Sequence, residues 1–201
     1  MCLVLIGPDG ERTMVPSTGA NGALEPLDLA GLIGTDDHLH LSGYSLLHDG
    51  SRPAARSVLG LAHAMGTGIS VDAASAAPIR SVGAAAFLDW LPTGTLLIAN
   101  ADELMALTAT GDPAELTERG LTVVIKDGPD GARIADDRGV RRVATTPVPV
   151  LDSTGAGDAF AAGLLAALRA GADLDDAVRQ GNGTAAQALG TLGGRPTVSR
   201  A

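Results

Sequence analysis

Aromatic residues, cysteine and lysine are all scarce in this 201-residue chain, and each scarcity limits what the protein can be. Aromatics make up 2% of the residues, so a folded core must be filled mainly by Ala, Val, Leu and Ile. The single Cys2 excludes an intramolecular disulfide and favours a reducing compartment, for which the cytoplasm is the default. No apolar run approaches the roughly 20 residues that cross a bilayer, and the start lacks the basic region of a signal peptide.

The charge pattern excludes further classes. The net charge is −9, with no basic cluster beyond Arg141-Arg142, which argues against nucleic acid or an anionic membrane as a partner. Lys126 is the only lysine and is followed by Asp127, so the Gly-Lys-Ser/Thr end of a P-loop is absent. A hydrophobic content of 45% nevertheless indicates a globular protein with a substantial core.

Strand and helix patterns alternate along most of the chain, which predicts an α/β fold with a mostly parallel sheet covered on both faces. Strands are predicted at 2–6, 12–15, 38–41, 68–71, 95–98, 121–125 and 132–135. Helices are predicted at 27–32, 53–65, 77–91, 101–107, 113–119, 156–170 and 174–189, with turns or loops at 7–10, 19–22, 42–44 and 128–131. Because no repeat or linker is present, we expect one domain over residues 1–201.

Residues 150–165 carry the most chemical information. Ser153 and Thr154 are good helix-capping residues, and Gly155-Ala156-Gly157 leads from them into an Ala/Leu run that predicts a helix. Small residues let a phosphate approach the backbone, and free N–H groups at a helix start attract anions. Asp158 falls in the first turn, where a base would serve phosphoryl transfer to an alcohol. The alternative is an ordinary cap beside a tight turn.

The string from Asp152 to Phe160 resembles the signature of the ribokinase-like sugar kinases, also called the PfkB-type family, with Ser153 in place of a Thr. The resemblance implies a three-layer αβα fold and ATP-dependent phosphorylation of a sugar hydroxyl. It also implies that Asp158 is the catalytic base. The amides of Gly155, Ala156 and Gly157 would then form the anion hole.

Asn100 and Glu103 lie three residues apart at a predicted strand-to-helix junction. This spacing is typical of a capping box, and ligands in open α/β sheets bind at the carboxyl ends of strands. The pair also resembles the family's Asn-x-x-Glu motif, which implies a Mg²⁺ ion held through water near the phosphates of ATP. The cap and ligand roles are compatible, because Mg²⁺ keeps several of its waters.

Two further segments resemble nucleotide-binding parts of the family. Lys126 to Gly131 is similar to its nucleotide loop, although an ordinary hairpin turn explains the same residues. Asn182 falls in a segment similar to the helix that borders the adenine, the alternative being a polar residue on a solvated helix face. The residues that the resemblance implies for ATP binding are Asn100, Lys126, Gly128, Gly131, Gly157 and Asn182.

The segment from Gly193 to Thr197 looks like the family's closing segment. There, together with Asp152 and Thr154, family members can hold a monovalent cation, so the resemblance adds K⁺ to the ATP and Mg²⁺ already implied. Oxygen ligands from carbonyls and one carboxylate suit a hard ion.

Several other residues have competing explanations. His38 and His40 share one face of a strand, but no third ligand follows at a suitable spacing, so we expect ordinary sheet residues. Asp72 ends a predicted strand, where it either faces a pocket or caps the next helix. Tyr44 and Trp90 are expected to be packing residues.

The resemblance begins in the middle of the family's sequence. Residues 1–22 look like a remnant of the small β lid and its connection, and the Gly-Gly-rich sugar-binding motif is missing. We therefore expect an N-terminally truncated carbohydrate kinase, whose acceptor could be ribose, fructose, a keto-deoxy acid sugar or a nucleoside. The resemblance allows a homodimer, since lid segments often pair subunits.

Two other functions are compatible with parts of the sequence. The missing acceptor motif favours a non-catalytic nucleotide-binding remnant that acts as a regulatory partner. A dinucleotide-binding oxidoreductase fits the α/β alternation, but no Gly-x-Gly-x-x-Gly follows an early strand, so this class is disfavoured.

Overall fold

The structure is a computed structural model that describes residues 2–6, 12–16, 19–26 and 31–193. The predicted turn at 7–10 and most of the predicted helix at 27–32 lie outside these ranges. Strands β1 (Cys2–Ile6) and β2 (Arg12–Pro16) form a separate two-stranded antiparallel sheet, in agreement with the two strands predicted there.

A six-stranded sheet forms the centre of the fold. Its strands are β3 (His38–Ser42), β4 (Gly68–Asp72), β5 (Leu96–Asn100), β6 (Thr122–Lys126), β7 (Ala132–Asp136) and β8 (Gly139–Val143), and they lie in chain order. The pairings from β3 to β6 are parallel, and β6–β7 and β7–β8 are antiparallel. The predicted α/β fold with a mostly parallel sheet is therefore confirmed.

Eight α-helices connect and cover these strands within the described ranges. They are α1 (Tyr44–Leu47), α2 (Arg52–Met65), α3 (Ala76–Val82), α4 (Ala84–Asp89), α5 (Ala101–Leu107), α6 (Ala114–Thr117), α7 (Ala156–Arg169) and α8 (Leu174–Leu189). None of them is both long and apolar enough to cross a membrane.

The core has two parts, one on each face of the sheet. On one face, Leu97 and Ala99 of β5 pack with residues of α2 to α5, and on the other, Leu96 and Ile98 pack with α7 and α8. All four side chains are buried, as the continuous apolar sequence of a parallel strand requires. The predicted three-layer αβα arrangement is confirmed.

Four local predictions need correction. Residues 19–23 form a 3₁₀-helix, and Tyr44 begins α1, where loops were predicted. The helix predicted at 77–91 is two helices, because Gly83 has a φ of 95° that breaks the helical run. Strand β8 was not predicted, since its mostly exposed sequence, Gly-Val-Arg-Arg-Val, lacks the apolar run that marks a buried strand.

Candidate functional site

The carboxyl ends of three neighbouring parallel strands bring polar side chains together at one edge of the sheet. Asp72, Asn100 and Lys126 are the last residues of β4, β5 and β6. The first turn of α7 lies beside them, since a Cβ atom built on Gly157 would be 3.4 Å from Lys126 Nζ. The fold thus places the sequence signature against the strand ends, where ligands of open α/β sheets bind.

Lys126 and Asp72 form an ion pair at this edge. Lys126 Nζ donates to Asp72 Oδ2 at 2.8 Å, and the two side chains are 18% and 20% exposed. The other carboxylate oxygen, Oδ1, accepts the backbone N–H of Ala74 at 2.9 Å. Asp72 does not cap the next helix, whose N-cap is Ser75. One of its oxygens instead fixes the turn after β4, and the other accepts from Lys126.

Asn100 and Glu103 form a complete capping box at the start of α5. Asn100 Oδ1 accepts the Glu103 N–H at 2.9 Å, and Glu103 Oε2 accepts the Asn100 N–H at 2.8 Å. Glu103 Oε1 also accepts Asn100 Nδ2 at 2.9 Å. Glu103 is 4% exposed, and this burial raises the pKa of its carboxyl group, although the Asn100 backbone and the charge of Lys126 oppose the shift.

Gly155, rather than Ser153 or Thr154, occupies the N-cap of α7. Its φ of 78° lies in the left-handed region that favours glycine, and no side chain of the described chain caps the helix. The Ala156 N–H lies 3.3 Å from the Ser153 carbonyl oxygen, a long hydrogen bond. Asp158 is exposed in the first turn. The prediction of a Ser or Thr cap is wrong, and the helix start is left open to an anion.

The loop between β6 and β7 is both a hairpin turn and one wall of the site. The Asp127 N–H donates to the Gly131 carbonyl at 2.8 Å, and Gly128–Asp130 form a 3₁₀ turn. Gly131 has a φ of 88°, and a Cβ atom there would lie 2.3 Å from the Val143 carbonyl oxygen, so only glycine fits. Arg133 holds the loop by donating to both carboxylate oxygens of Asp127, at 2.7 and 2.9 Å.

A cavity of about 680 Å³ opens beside this loop. Of the residues implied for ATP binding, Asn100, Lys126 and Gly128 line this cavity. The other three, Gly131, Gly157 and Asn182, do not line it. The other lining residues are Ala101, Asp102, Asp127, Asp130, Arg133 and Arg142.

Asn182 lies inside the fold. It is buried, and its Nδ2 donates to the carbonyl oxygen of Val143, the last residue of β8, at 3.2 Å. The solvated-face alternative is therefore wrong for this residue. Its side chain ties α8 to the end of β8, and a contact with adenine stays a prediction.

Asp152 is one of the four residues that the resemblance implies for a monovalent cation, and it forms hydrogen bonds with two of the other three. Its Oδ1 accepts the Thr154 N–H at 2.9 Å, and its Oδ2 accepts the Gly193 N–H at 3.0 Å. Thr197 lies outside the described residues. The structure thus brings Asp152, Thr154 and Gly193 together, and their role as ligands stays a prediction.

Ser70 was not singled out by the sequence, yet its buried hydroxyl joins the two histidines of β3. Ser70 Oγ lies 2.9 Å from His38 Nε2 and 2.8 Å from His40 Nδ1. Burial lowers the pKa of both imidazoles, and the charges of Asp72 and Asp158 oppose this shift at His40. No group of three or more His, Cys, Asp or Glu residues within the described ranges is placed to hold a metal ion. His38 is partly buried and His40 is exposed, so the two histidines are residues of an edge strand that the buried Ser70 joins.

The two remaining aromatic candidates differ. Trp90 packs edge-on against Phe87, with the Arg52 guanidinium 4.5 Å from its ring centre, as expected of a packing residue. Tyr44 is 55% exposed, so the expectation that it packs is wrong.

Comparison with known proteins identifies relatives of one kind. A family model described as pfkB family carbohydrate kinase matches residues 1–200. The ATP-dependent ribose-1-phosphate kinase of Halopiger xanaduensis is 30% identical over 197 residues, which cover 96% of this chain and 62% of that protein. The chain thus spans less than two thirds of the length of this relative.

Solved structures agree with the fold. A probable sugar kinase from Rhizobium etli CFN 42 matches with a TM-score of 0.86 at 25% identity, over 98% of this chain and 62% of that one. A fructokinase double mutant from Vibrio cholerae O395, in a form with bound fructose, ADP and potassium ion, matches with a TM-score of 0.81 at 24% identity. That match covers 96% of this chain and 68% of the fructokinase, and at this identity the likeness concerns the fold alone.

Proposed function

Because this chain belongs to the pfkB family of carbohydrate kinases, we propose that it binds ATP and transfers the γ-phosphoryl group to a hydroxyl of a sugar or sugar-like acceptor. One observation carries the proposal. The uncapped start of α7 and the ammonium group of Lys126 meet at the carboxyl edge of the sheet, around Gly157. Helix amides and a lysine are the groups that proteins use to bind phosphates.

The reaction needs a base, and Asp158 is the candidate. It is exposed in the first turn of α7, next to the glycine that faces Lys126. In the proposed step, the Asp158 carboxylate accepts the proton of the acceptor hydroxyl while that oxygen forms a bond to the γ-phosphorus. The bond between the γ-phosphorus and the β,γ-bridging oxygen breaks, and ADP leaves with the bonding electrons.

The amides at the start of α7 would stabilise the charge that spreads over the phosphoryl oxygens. Gly155, Ala156 and Gly157 form this segment, and each well-placed donor contributes roughly 3–4 kcal/mol to such a transition state. Gly157 is the best candidate of the three, because the Ala156 N–H already has a long bond to Ser153. The lack of a side chain at Gly157 also leaves its backbone accessible to a phosphate.

The nucleotide would occupy the cavity beside the β6–β7 loop. Asn100, Lys126 and Gly128 line this cavity, and Gly131 allows the loop to approach the end of β8. We place the phosphates at the Lys126 end, since that end adjoins α7. Asn182 would act at the other end by holding Val143 in place.

The residues at the site fit a Mg²⁺ ion that is held through water. Both Glu103 oxygens accept hydrogen bonds from Asn100, and the side chain is 4% exposed, so direct ligation by Glu103 does not fit. Asn100 lines the cavity and would contact such an ion through its waters. When bound, Mg²⁺ would neutralise phosphate charge.

A monovalent cation would be held by Asp152, Thr154, Gly193 and Thr197. The carboxylate and backbone oxygens of these residues are hard ligands that suit K⁺. The potassium ion in the fructokinase form supports this choice. The ion would stabilise the loop that leads into α7.

The acceptor class follows from the relatives that the chain matches, which include a ribose-1-phosphate kinase and a sugar kinase. The lid role of the β1–β2 hairpin and the assignment of residues 1–201 to one kinase domain are part of this proposal. A nucleotide-binding protein without catalysis is the second candidate, favoured by the cavity that Asn100, Lys126 and Gly128 line.

Calorimetry with ATP–Mg²⁺, followed by product analysis with a panel of sugars and nucleosides, separates these functions. We expect binding of ATP–Mg²⁺ and a phosphorylated product from at least one acceptor. Binding without any product would support the non-catalytic candidate. Absence of ATP–Mg²⁺ binding would contradict both.

A further inference from the structure

We propose that Asp72 is a positioning residue that holds the ammonium group of Lys126 at the start of α7, where it meets the nucleotide phosphates. This inference rests on the proposed function and adds a residue to its site. Neither the family signature nor the residues implied for ATP binding include Asp72.

The ion pair between Asp72 and Lys126 spans the width of one strand along the sheet edge. Asp72 ends β4 and Lys126 ends β6, with β5 lying between these two strands. The Lys126 side chain must therefore extend sideways across the end of β5 to reach Asp72 Oδ2 at 2.8 Å. A lysine without such a partner would spread over many rotamers, since its side chain is a flexible four-carbon stem.

The turn after β4 holds the Asp72 carboxylate in place. Its Oδ1 accepts the Ala74 N–H at 2.9 Å, and Ala74 has a φ of 72°. It is the one non-glycine residue with a positive φ in the described part of the chain. Such a conformation is uncommon for alanine and persists only where the surroundings impose it. The turn after β4 thus keeps a strained residue that orients the carboxylate.

The ammonium group of Lys126 lies at the start of α7. Lys126 Nζ lies 3.4 Å from the position of a Cβ atom on Gly157, so it is next to the open amides of α7. Lysine has three N–H donors, and within the described ranges one hydrogen bond, to Asp72, is formed. The remaining donors are available to a phosphate that binds to the same amides.

The test is a double-mutant cycle on ATP–Mg²⁺ binding, measured by calorimetry with wild type, Asp72→Asn, Lys126→Met and the double variant. Asp72→Asn keeps an oxygen that accepts from Ala74 but removes the charge that holds the ammonium. We expect it to weaken ATP–Mg²⁺ binding threefold or more when Lys126 is present. In the Lys126→Met background it should have no effect, because nothing is left to position. Adenosine binding should not change.

A matched control is Asp89→Asn, which breaks the exposed ion pair between Asp89 and Arg119. It should leave ATP–Mg²⁺ binding unchanged. The inference is overturned if Asp72→Asn has the same effect in both backgrounds, or if it leaves binding unchanged or tighter when Lys126 is present. If the wild type does not bind ATP–Mg²⁺, the proposed function fails. If the wild type binds ATP–Mg²⁺ but one of these results is obtained, only the inference about Asp72 fails, so the two failures are distinguishable.

A second measurement uses the folded wild type and does not depend on any variant. Lys126 is the only lysine, so a lysine labelled with ¹³C at the ε position gives a single side-chain NMR signal. ATP–Mg²⁺ should shift this signal, and adenosine should not. A signal that ATP–Mg²⁺ leaves unmoved, although calorimetry shows binding, would overturn the inference even if Asp72→Asn fails to fold.

Discussion

Asn100 and Glu103 form three hydrogen bonds with each other at the start of α5, with donor–acceptor distances of 2.8 to 2.9 Å. Both oxygens of the buried carboxylate are used in this way. The arrangement fixes the direction in which Asn100 faces the cavity. We therefore expect Glu103 to act on the site through Asn100 rather than by contact with a ligand.

The burial of Glu103 predicts a pH-dependent contribution to stability. Because its pKa in the folded protein is raised above 4.5, the folded chain binds more protons at this group than the unfolded chain. Its contribution is therefore complete below pH 4.5 and is lost as the pH rises through the raised pKa. The difference in unfolding free energy between wild type and Glu103→Gln should shrink from acidic to neutral pH.

Urea denaturation at a series of pH values measures this difference. The exposed Glu118 provides the control, because Glu118→Gln removes a carboxylate that is not buried. A wild-type advantage over Glu103→Gln that grows as the pH rises would contradict the predicted direction.

The strained turn after β4 predicts a stabilising substitution. Ala74 has a φ of 72°, and an L-residue in the left-handed region is disfavoured by roughly 1–2 kcal/mol. Ala74→Gly relieves this cost but makes the unfolded chain more flexible, so we expect a net gain of about 0.5–1 kcal/mol. The midpoint of urea denaturation should rise with an unchanged slope.

Gly66 offers the reverse experiment at the same φ of 72°. A Cβ atom there would meet no atom within 4 Å, so Gly66→Ala tests the backbone conformation without a clash. We expect a loss of about 1 kcal/mol for this variant. If Ala74→Gly and Gly66→Ala change the unfolding free energy by the same amount in the same direction, the left-handed backbone conformation does not cause these changes in stability.

The loop between β6 and β7 depends on the geometry of a guanidinium group. Arg133 donates through Nε and Nη2 to the two oxygens of Asp127, and a lysine cannot form both bonds. We expect Arg133→Lys to lower the unfolding free energy by about 1 kcal/mol, because the pair is partly exposed. ATP–Mg²⁺ binding should weaken too, since Asp127 and Gly128 line the cavity.

Calorimetry and urea denaturation measure the two effects, with Arg138→Lys as the control. Arg138 forms more exposed ion pairs with Asp136 and Asp175, at 3.5 and 3.0 Å. If Arg133→Lys leaves both ATP–Mg²⁺ affinity and stability unchanged, the ion pair does not hold the loop.

The sequence predicted the fold well where apolar residues run continuously, as in β5 and in α7. It missed β8, because Arg141 and Arg142 interrupt the pattern while their charges are balanced by Asp136, Asp175 and Asp130. These partners come from other elements, and such pairings are invisible to local patterns.

The sequence predicted the parts of the site that lie at the ends of strands and at the start of α7, because local patterns mark those positions. Asn100 and Glu103 were recognised as a capping box because that motif is local. The ion pair between Lys126 and Asp72 joins residues 54 positions apart, so sequence spacing could not reveal it. The N-cap of α7 is Gly155, not the predicted Ser153 or Thr154, because the left-handed backbone of Gly155 turns the chain into the helix.

Asp158 carries the sharpest prediction of the proposed function. Asp158→Asn removes the base that would accept the proton of the acceptor hydroxyl, and general-base catalysis typically contributes about 100- to 10,000-fold. We expect kcat to fall by about that factor, while ATP–Mg²⁺ binding is retained, because loss of a carboxylate beside the phosphates removes repulsion rather than a contact. Product analysis and calorimetry measure the two quantities separately.

Asp176 provides the matched control, since it also lies in the first turn of a helix and pairs with Arg179 on the surface of α8. Asp176→Asn removes the same charge from a neighbouring helix, so general effects of net charge on ATP–Mg²⁺ binding will be the same in both variants. Near-normal turnover of Asp158→Asn would exclude Asp158 as the base. Loss of ATP–Mg²⁺ binding along with turnover would instead assign Asp158 to nucleotide binding, because a group that acts only on the acceptor proton cannot alter the complex formed without an acceptor.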